Sequence, residues 1–187
     1  MTERITLVFG AGFSGRAYGR RLAAAGETVF GTTRDAAKAD SLRQLGITPV
    51  IFAGQALRTD LTDAIARATD IVVSIAPDAD GDPVLHAARE AIAAAPNLEW
   101  IAYLSTVGVY GDHDGGWVDE ATEPRPVSER SIQRLAAERA WHAFAKERNV
   151  PLSILRLSGI YGPGRNAFVN LAAGRARRLV KSGQVFN

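Results

Sequence analysis

The segment Gly10-Ala11-Gly12-Phe13-Ser14-Gly15 constrains this chain more than any other, because it follows the apolar run Ile5-Thr6-Leu7-Val8-Phe9 and opens an Ala- and Arg-rich helical stretch. A strand, a glycine turn and a helix therefore stand in that order. Gly10 permits a tight turn, Gly12 lets the backbone approach a pyrophosphate, and Gly15 lets the helix pack close to the strand, with helix amides aimed at the phosphates. Phe13 and Ser14 belong to the same turn and count with the glycines as cofactor-binding candidates. The pattern predicts a dinucleotide site over residues 5 to 34, against the plainer alternative of an ordinary glycine turn.

Apolar runs bounded by turn residues recur at Ile5 to Phe9, Thr28 to Thr32, Thr48 to Phe52, Ile71 to Ala76, Trp100 to Leu104 and Leu152 to Leu157, and each reads as a buried strand. Between them, Ser14 to Ala25, Ala36 to Leu45, Leu61 to Ala68, Pro83 to Ala95 and Ser128 to Arg148 read as helices. Strict alternation implies right-handed crossovers and a parallel sheet covered on both faces, the doubly wound α/β architecture. Ligands then sit at the carboxyl ends of the strands. The longest irregular stretch, Gly111 to Val127, leaves such an end and reads as an active-site loop. After Ile160 come Gly162, Pro163 and Gly164, then a helical segment from Asn166 to Lys181 whose apolar side includes Phe168, Leu171, Leu179 and Val180.

The 187 residues, 47% hydrophobic and 22% charged, suit one well-buried soluble domain and not a disordered or membrane chain. A net charge of +2 without a concentrated basic face gives no footing for nucleic acid. Lack of cysteine removes disulfides, thiolate nucleophiles and cysteine metal sites together. Glu3 and Arg4 precede an apolar run too short for a signal peptide, and no run approaches the roughly 18 apolar residues of a membrane span, so a cytoplasmic protein is expected. His86, His113 and His142 lie on separate elements without ligand spacing, so no metal site is expected.

In a dinucleotide site the residue ending the second strand meets the adenosine ribose, and an acidic residue there marks NAD. Here the stretch is Gly31-Thr32-Thr33-Arg34, with no carboxylate before Arg34. The hydroxyls of Thr32 and Thr33 and the paired guanidinium donors of Arg34 can hold a 2′-phosphate, which favours NADP over NAD. The alternative leaves Arg34 on the surface, with Asp35 starting the next helix. Ser74-Ile75-Ala76-Pro77 ends the fourth strand beside the expected cofactor path, where small Ser74 and Ala76 allow close approach; a buried strand end accounts for them equally.

Ser105-Thr106-Val107-Gly108-Val109-Tyr110-Gly111 closes the fifth strand, and Leu155-Arg156-Leu157-Ser158-Gly159-Ile160-Tyr161-Gly162-Pro163-Gly164-Arg165 closes the sixth. With the glycine turn, these motifs resemble the extended short-chain dehydrogenase/reductase superfamily, the NAD(P)-dependent epimerases and dehydratases of nucleotide sugars, and within it the atypical branch of nucleoside-diphosphate-sugar epimerases. The resemblance covers nearly the whole chain and implies an NAD(P)-binding Rossmann domain over residues 1–187, with residues 159–187 starting a substrate-binding portion that is largely missing.

The superfamily's chemistry rests on a Ser or Thr at the end of the fifth strand and a Tyr-x-x-x-Lys pair on the next helix. Thr106 matches the first position. The stretch Pro126 to Glu138 matches the helix start, but places Arg130 where Tyr belongs and Arg134 where Lys belongs. A phenol near pKa 10 can be lowered by a neighbouring cation, whereas a guanidinium stays protonated and cannot serve as a base. The usual proton relay is therefore absent. Arg134 either retains the lysine's hydrogen bonds to the nicotinamide ribose or pairs with a carboxylate such as Glu138. Arg130 either binds a substrate phosphate or carboxylate or is a solvated helix-start residue. Tyr110 and Tyr161 remain as candidate proton donors, with packing as their alternative role. Arg165, Arg175, Arg177 and Arg178 either meet a substrate diphosphate or form a basic, soluble face.

Two functions follow. One is an NADP-dependent oxidoreductase or epimerase-like enzyme acting on a hydroxyl or carbonyl, of a nucleotide sugar or another small molecule, with Thr106 orienting the reacting oxygen. The other is a protein that holds NADP as a sensor or structural element without turnover. Apolar surface left uncovered by residues 166 to 187 would be covered by self-association.

Overall fold

β1, Ile5–Phe9, lies at the centre of the sheet because each of its five residues is buried, on one face or the other. The computed structural model describes residues 3–54 and 56–176. Among the described residues β1 is joined by β2 (Thr28–Thr33), β3 (Thr48–Ile51), β4 (Asp70–Val73), β5 (Trp100–Thr106) and β6 (Leu152–Leu157). Their order is β3-β2-β1-β4-β5-β6 and every neighbouring pair is parallel. The order reverses between β1 and β4, which opens a crevice at the carboxyl ends of these strands.

The connections carry α1 (Phe13–Ala24), α2 (Ala39–Arg43), α3 (Thr59–Arg67), α4 (Pro83–Ala93) and α5 (Glu129–Arg148), and α6 (Ala167–Ala172) follows β6. Alternation along the strands sorts side chains onto two faces. Leu7, Phe9, Ile71, Val73, Ile101 and Tyr103 enter the larger core, with Leu61, Ile92 and Trp141 from α3, α4 and α5. Val8, Val72 and Ala102 join a smaller cluster with Leu42 of α2. Trp141 and Phe144 meet edge to face at 5.7 Å between ring centroids. Burying a side chain such as Phe144 or Ile101 contributes roughly 2 to 3 kcal/mol each.

Local chemistry sets the helix starts nearest the crevice. Asp82 Oδ1 accepts from the Val84 and Leu85 N–H groups, both at 3.0 Å, and Pro83 takes the first helical position of α4. Ser128 Oγ accepts from the Ser131 N–H at 3.2 Å to start α5, and Asn149, at φ 54°, ends it.

Five elements differ from expectation. The helix expected over Ala36 to Leu45 divides, because the Asp35 carboxylate accepts from the Ala37 N–H and tightens Ala36–Lys38 into a 3₁₀ turn before α2. β4 stops at Val73, where the chain turns away after the Ser74 N–H donates to Phe9 O. β3 and β6 were expected to be buried but are the two edge strands, with Thr48 of β3 exposed and Leu155 of β6 42% exposed; Tyr161, Phe168 and Leu171 after β6 are exposed as well. Of the segment expected to be helical from Asn166 to Lys181, α6 spans Ala167–Ala172, and Leu179 and Val180 lie outside the described residues. No helix among the described residues is long and apolar enough to cross a membrane.

Candidate functional site

The end of β2 clamps the glycine turn. The Gly10 N–H donates to Thr32 Oγ1 at 2.7 Å and the Ala11 N–H to Thr32 O at 2.8 Å, while the Gly12 N–H folds back onto Gly10 O at 2.7 Å. Gly10 adopts φ +88°, and a Cβ there would sit 2.9 Å from Ile75 Cγ1; one on Gly15 would sit 2.5 Å from Gly10 O. Both positions need glycine for the fold itself. At Gly12 a Cβ would meet nothing within 4 Å, so packing within the chain does not require glycine there. Gly12 also offers no side-chain oxygen to the first amides of α1. Those donors and the positive end of the helix suit a phosphate.

Above this turn is a cleft of about 680 Å³, walled by Gly10, Gly12, Phe13, Ser14, Thr33, Arg34, Ser74 and Ala76 among others. Its volume falls in the range of small-molecule and cofactor sites. Gly15 stands outside the wall, buried where α1 meets β1. At the β2 end, Arg34 and Lys38 are exposed, and the Arg34 guanidinium has no hydrogen bond or ion pair among the described residues. Asp35 lies beside them, but one carboxylate oxygen accepts from the Ala37 N–H at 2.9 Å and the other is 4.0 Å from Lys38 Nζ. Thr33 Oγ1 accepts from the Asp35 N–H at 3.2 Å. The cleft therefore presents amides at its centre and cations at one end. Lys38, Asp78, Ile160 and Arg165 also line it and were not anticipated as cofactor contacts. Only Lys38 had a local signal, its place one helical turn beyond Arg34.

Thr106, Tyr110, Arg130 and Arg134 gather on β5, the turn after it and the start of α5, outside the wall of that cleft. Thr106 Oγ1 accepts from the Gly108 N–H at 3.2 Å, which leaves its own O–H to donate. Arg130 is exposed, with no hydrogen bond or ion pair among the described residues. Arg134 donates to Leu104 O at 2.9 Å and to the Tyr103 hydroxyl at 3.2 Å. Burial pushes the Tyr103 phenol well above its ordinary range, so it remains protonated at neutral pH and accepts no proton. Behind this group, burial also raises the Asp82 carboxyl, opposed by its backbone hydrogen bonds and by Arg134. Trp141 lies near enough to favour the charged form of Asp82, yet Asp82 Oδ2 and Trp141 Nε1 have no hydrogen-bond partner among the described residues.

The pairing of Arg134 with Glu138 weighed from the sequence does not form. The buried Glu138 carboxylate accepts from Arg156 Nη2 at 2.8 Å and Nε at 3.2 Å, and from the Ser105 hydroxyl. Contact with Glu138 holds the Arg156 guanidinium above its usual range. That guanidinium lies 4.6 Å over the Tyr110 ring, and Tyr110 is itself buried. Tyr110 O accepts from the Arg125 N–H at 2.9 Å and lies 3.1 Å from His113 Nε2, which closes the neck of the loop from Gly111 to Val127. Tyr161 is 83% exposed. Arg175 is exposed, and Arg177 and Arg178 lie outside the described residues. Among the described residues no three His, Asp or Glu side chains come together as metal ligands.

Comparison with known proteins extends this picture. A functionally unknown conserved protein from Silicibacter pomeroyi has a structure 42% identical to this chain, with a TM-score of 0.85 over 98% of this chain and 62% of its own. UDP-glucuronic acid 4-epimerase from Bacillus cereus, solved in complex with NAD, shares the fold at 23% identity and a TM-score of 0.70, over 90% of this chain and 61% of its own. dTDP-L-rhamnose 4-epimerase from Burkholderia thailandensis is 40% identical over 57 residues, 29% of this chain and 16% of that protein. This chain thus spans less than two thirds of the length of each. The NAD dependent epimerase/dehydratase family matches residues 6–185, and the chain belongs to that family.

Proposed function

We propose that this chain binds NADP across the glycine turn and acts on a hydroxyl or carbonyl of a small molecule of the nucleotide-sugar class, with a proton donor other than the usual tyrosine. The observation that carries the reading is the cleft, in which open space at Gly12 adjoins the amides of α1 and the uncommitted guanidinium of Arg34 stands at the end of β2. No carboxylate occupies residues 31 to 34 to receive a 2′-hydroxyl, and Asp35 is engaged by the Ala37 amide. These features support the phosphorylated cofactor over NAD, the cofactor present in the Bacillus cereus epimerase structure.

NADP supplies the hydride chemistry when bound. The protein's part is position and charge. Thr106 donates its hydroxyl hydrogen to the reacting oxygen, Arg134 stays a cation with donors beside the end of β5, and Arg130 offers a solvent-facing guanidinium to an anionic group of the substrate.

The test is incubation with NADPH and a panel of carbonyl compounds and nucleotide sugars, followed by the absorbance of the reduced cofactor. Turnover that disappears in Thr106→Ala supports the enzyme. A second reading, a cofactor-binding sensor without turnover, is favoured by the guanidinium groups at positions 130 and 134, since neither accepts a proton. Tight NADPH binding with no turnover on any compound supports that one. Arg130→Tyr with Arg134→Lys then shows whether the replaced pair is the only obstacle.

A further inference from the structure

The loop after β6 brings a third cation to the cleft, far from Arg34 and Lys38 in the chain. Gly162 and Arg165 exchange backbone hydrogen bonds, Gly162 N–H to Arg165 O at 2.8 Å and Arg165 N–H to Gly162 O at 3.0 Å, with Gly164 at φ +74° between them. Asn166 locks this turn from the other side. Its Nδ2 donates to Gly162 O at 3.1 Å while its Oδ1 accepts from the Val169 N–H at 3.0 Å. The backbone that carries Arg165 is therefore held at both ends.

The same turn is seated on Phe13. A Cβ on Gly162 would lie 3.0 Å from Phe13 Cζ, so the absence of a side chain lets the loop close onto the ring. The Arg165 guanidinium then lies 5.4 Å from the Phe13 ring centroid and lines the same cleft as the glycine turn. Stacking on an aromatic face orients the planar group and leaves its N–H edge for another acceptor. Among the described residues that edge meets no acceptor and no carboxylate. The acids nearest in the cleft are engaged locally, Asp35 by the Ala37 amide and Asp78 by the Asp80 amide at 3.0 Å.

We infer that Arg165 binds the pyrophosphate of the cofactor, from the wall of the cleft beside Phe13, and does not serve a substrate diphosphate. The inference rests on the cofactor reading above. A pyrophosphate carries two negative charges, whereas the turn offers neutral amides, and Phe13 is the first residue of α1, next to those amides. The guanidinium supplies the full charge that the turn lacks. Because Phe13 and Arg165 come from opposite ends of the chain, the cofactor would join the glycine turn to the loop after β6.

Isothermal titration with NADPH, NADH, adenosine 2′-monophosphate and UDP, on the full chain and on Arg165→Ala, tests this. Arg165 is exposed, and thermal unfolding of the variant checks that the fold is unchanged. The expected result is a loss of about tenfold to a hundredfold in affinity for the better-bound dinucleotide, as one charge-assisted hydrogen bond implies. Adenosine 2′-monophosphate, which lacks the pyrophosphate, keeps its affinity, and Arg165→Lys recovers part of the loss. Equal dinucleotide affinity in both proteins overturns the inference, as does equal weakening of adenosine 2′-monophosphate. Weakening confined to UDP also overturns it and returns Arg165 to the substrate. If the unaltered chain binds neither dinucleotide, the cofactor reading fails first and the inference fails with it.

Discussion

Arg134 donates to the main-chain carbonyl of Leu104 at 2.9 Å, so the cation standing where the resemblance places a lysine is tied to the strand that carries Thr106. It shares this anchorage with the Tyr103 hydroxyl. Arg134→Ala removes both donors and is expected to lower the unfolding free energy by about 1 to 2 kcal/mol, with Arg134→Lys restoring part. Urea denaturation measures it, and a change below roughly 0.3 kcal/mol would mean that the contact is not made in solution.

One turn along the same helix, Glu138 depends on Arg156. Removing one partner of a buried ion pair leaves an uncompensated charge, so Arg156→Met should destabilise the fold by about 3 kcal/mol. The Tyr110 ring beneath the guanidinium loses its cover at the same time. Arg156→Met combined with Glu138→Gln should recover much of the loss, because the stranded carboxylate is gone. A double variant no more stable than the single one contradicts this account of the pair.

Gly10 and Gly12 should behave oppositely. Gly10→Ala forces a left-handed backbone and a contact with Ile75, with an expected destabilisation of about 2 kcal/mol or more. Gly12→Ala should change stability by less than about 1 kcal/mol and yet weaken dinucleotide binding roughly tenfold or more, because its methyl group enters the open space in which we propose that the phosphate lies. Thermal unfolding and titration calorimetry on both variants separate the two roles. Loss of binding only in step with loss of stability would contradict the assignment of Gly12.

Arg34→Ala should weaken NADPH roughly tenfold to a hundredfold and leave NADH within about twofold, since only the former places a phosphate at the 2′ position. An unchanged ratio of the two affinities sinks the preference for NADP.

Asp82 gives a pH dependence of determined sign. Burial raises its carboxyl above the ordinary value of 3.8, so the folded chain binds that proton more tightly than the unfolded chain. Stability from this group is complete below pH 3.8 and is lost as pH rises through the folded value. Asp82→Asn keeps an N-cap acceptor and cannot ionise. The stability of the natural chain minus that of the variant should therefore fall as pH rises from 3.8 and then level off. Urea titrations across this range check it, and a difference that rises with pH reverses the sign.

Much of the molecule is written in short-range pattern. Five apolar or Thr residues before a glycine turn, and five helical stretches between apolar runs, placed every strand and helix of the sheet to within a few residues, because periodicity and turn chemistry act over neighbours in the chain. The glycine turn and the basic end of β2 were legible for the same reason. The partners of the charged side chains were not. Glu138 has Arg134 four residues away on its own helix, yet it pairs with Arg156, eighteen residues away on β6, because the packing of α5 across β5 and β6 turns its carboxylate inward to the sheet. Arg165 lies over Phe13, and Gly12 differs from Gly10 and Gly15, through contacts between segments distant in the chain. Local pattern specifies which elements form, whereas the neighbour of a given charge, and the space beside a given glycine, exist only once those elements have packed.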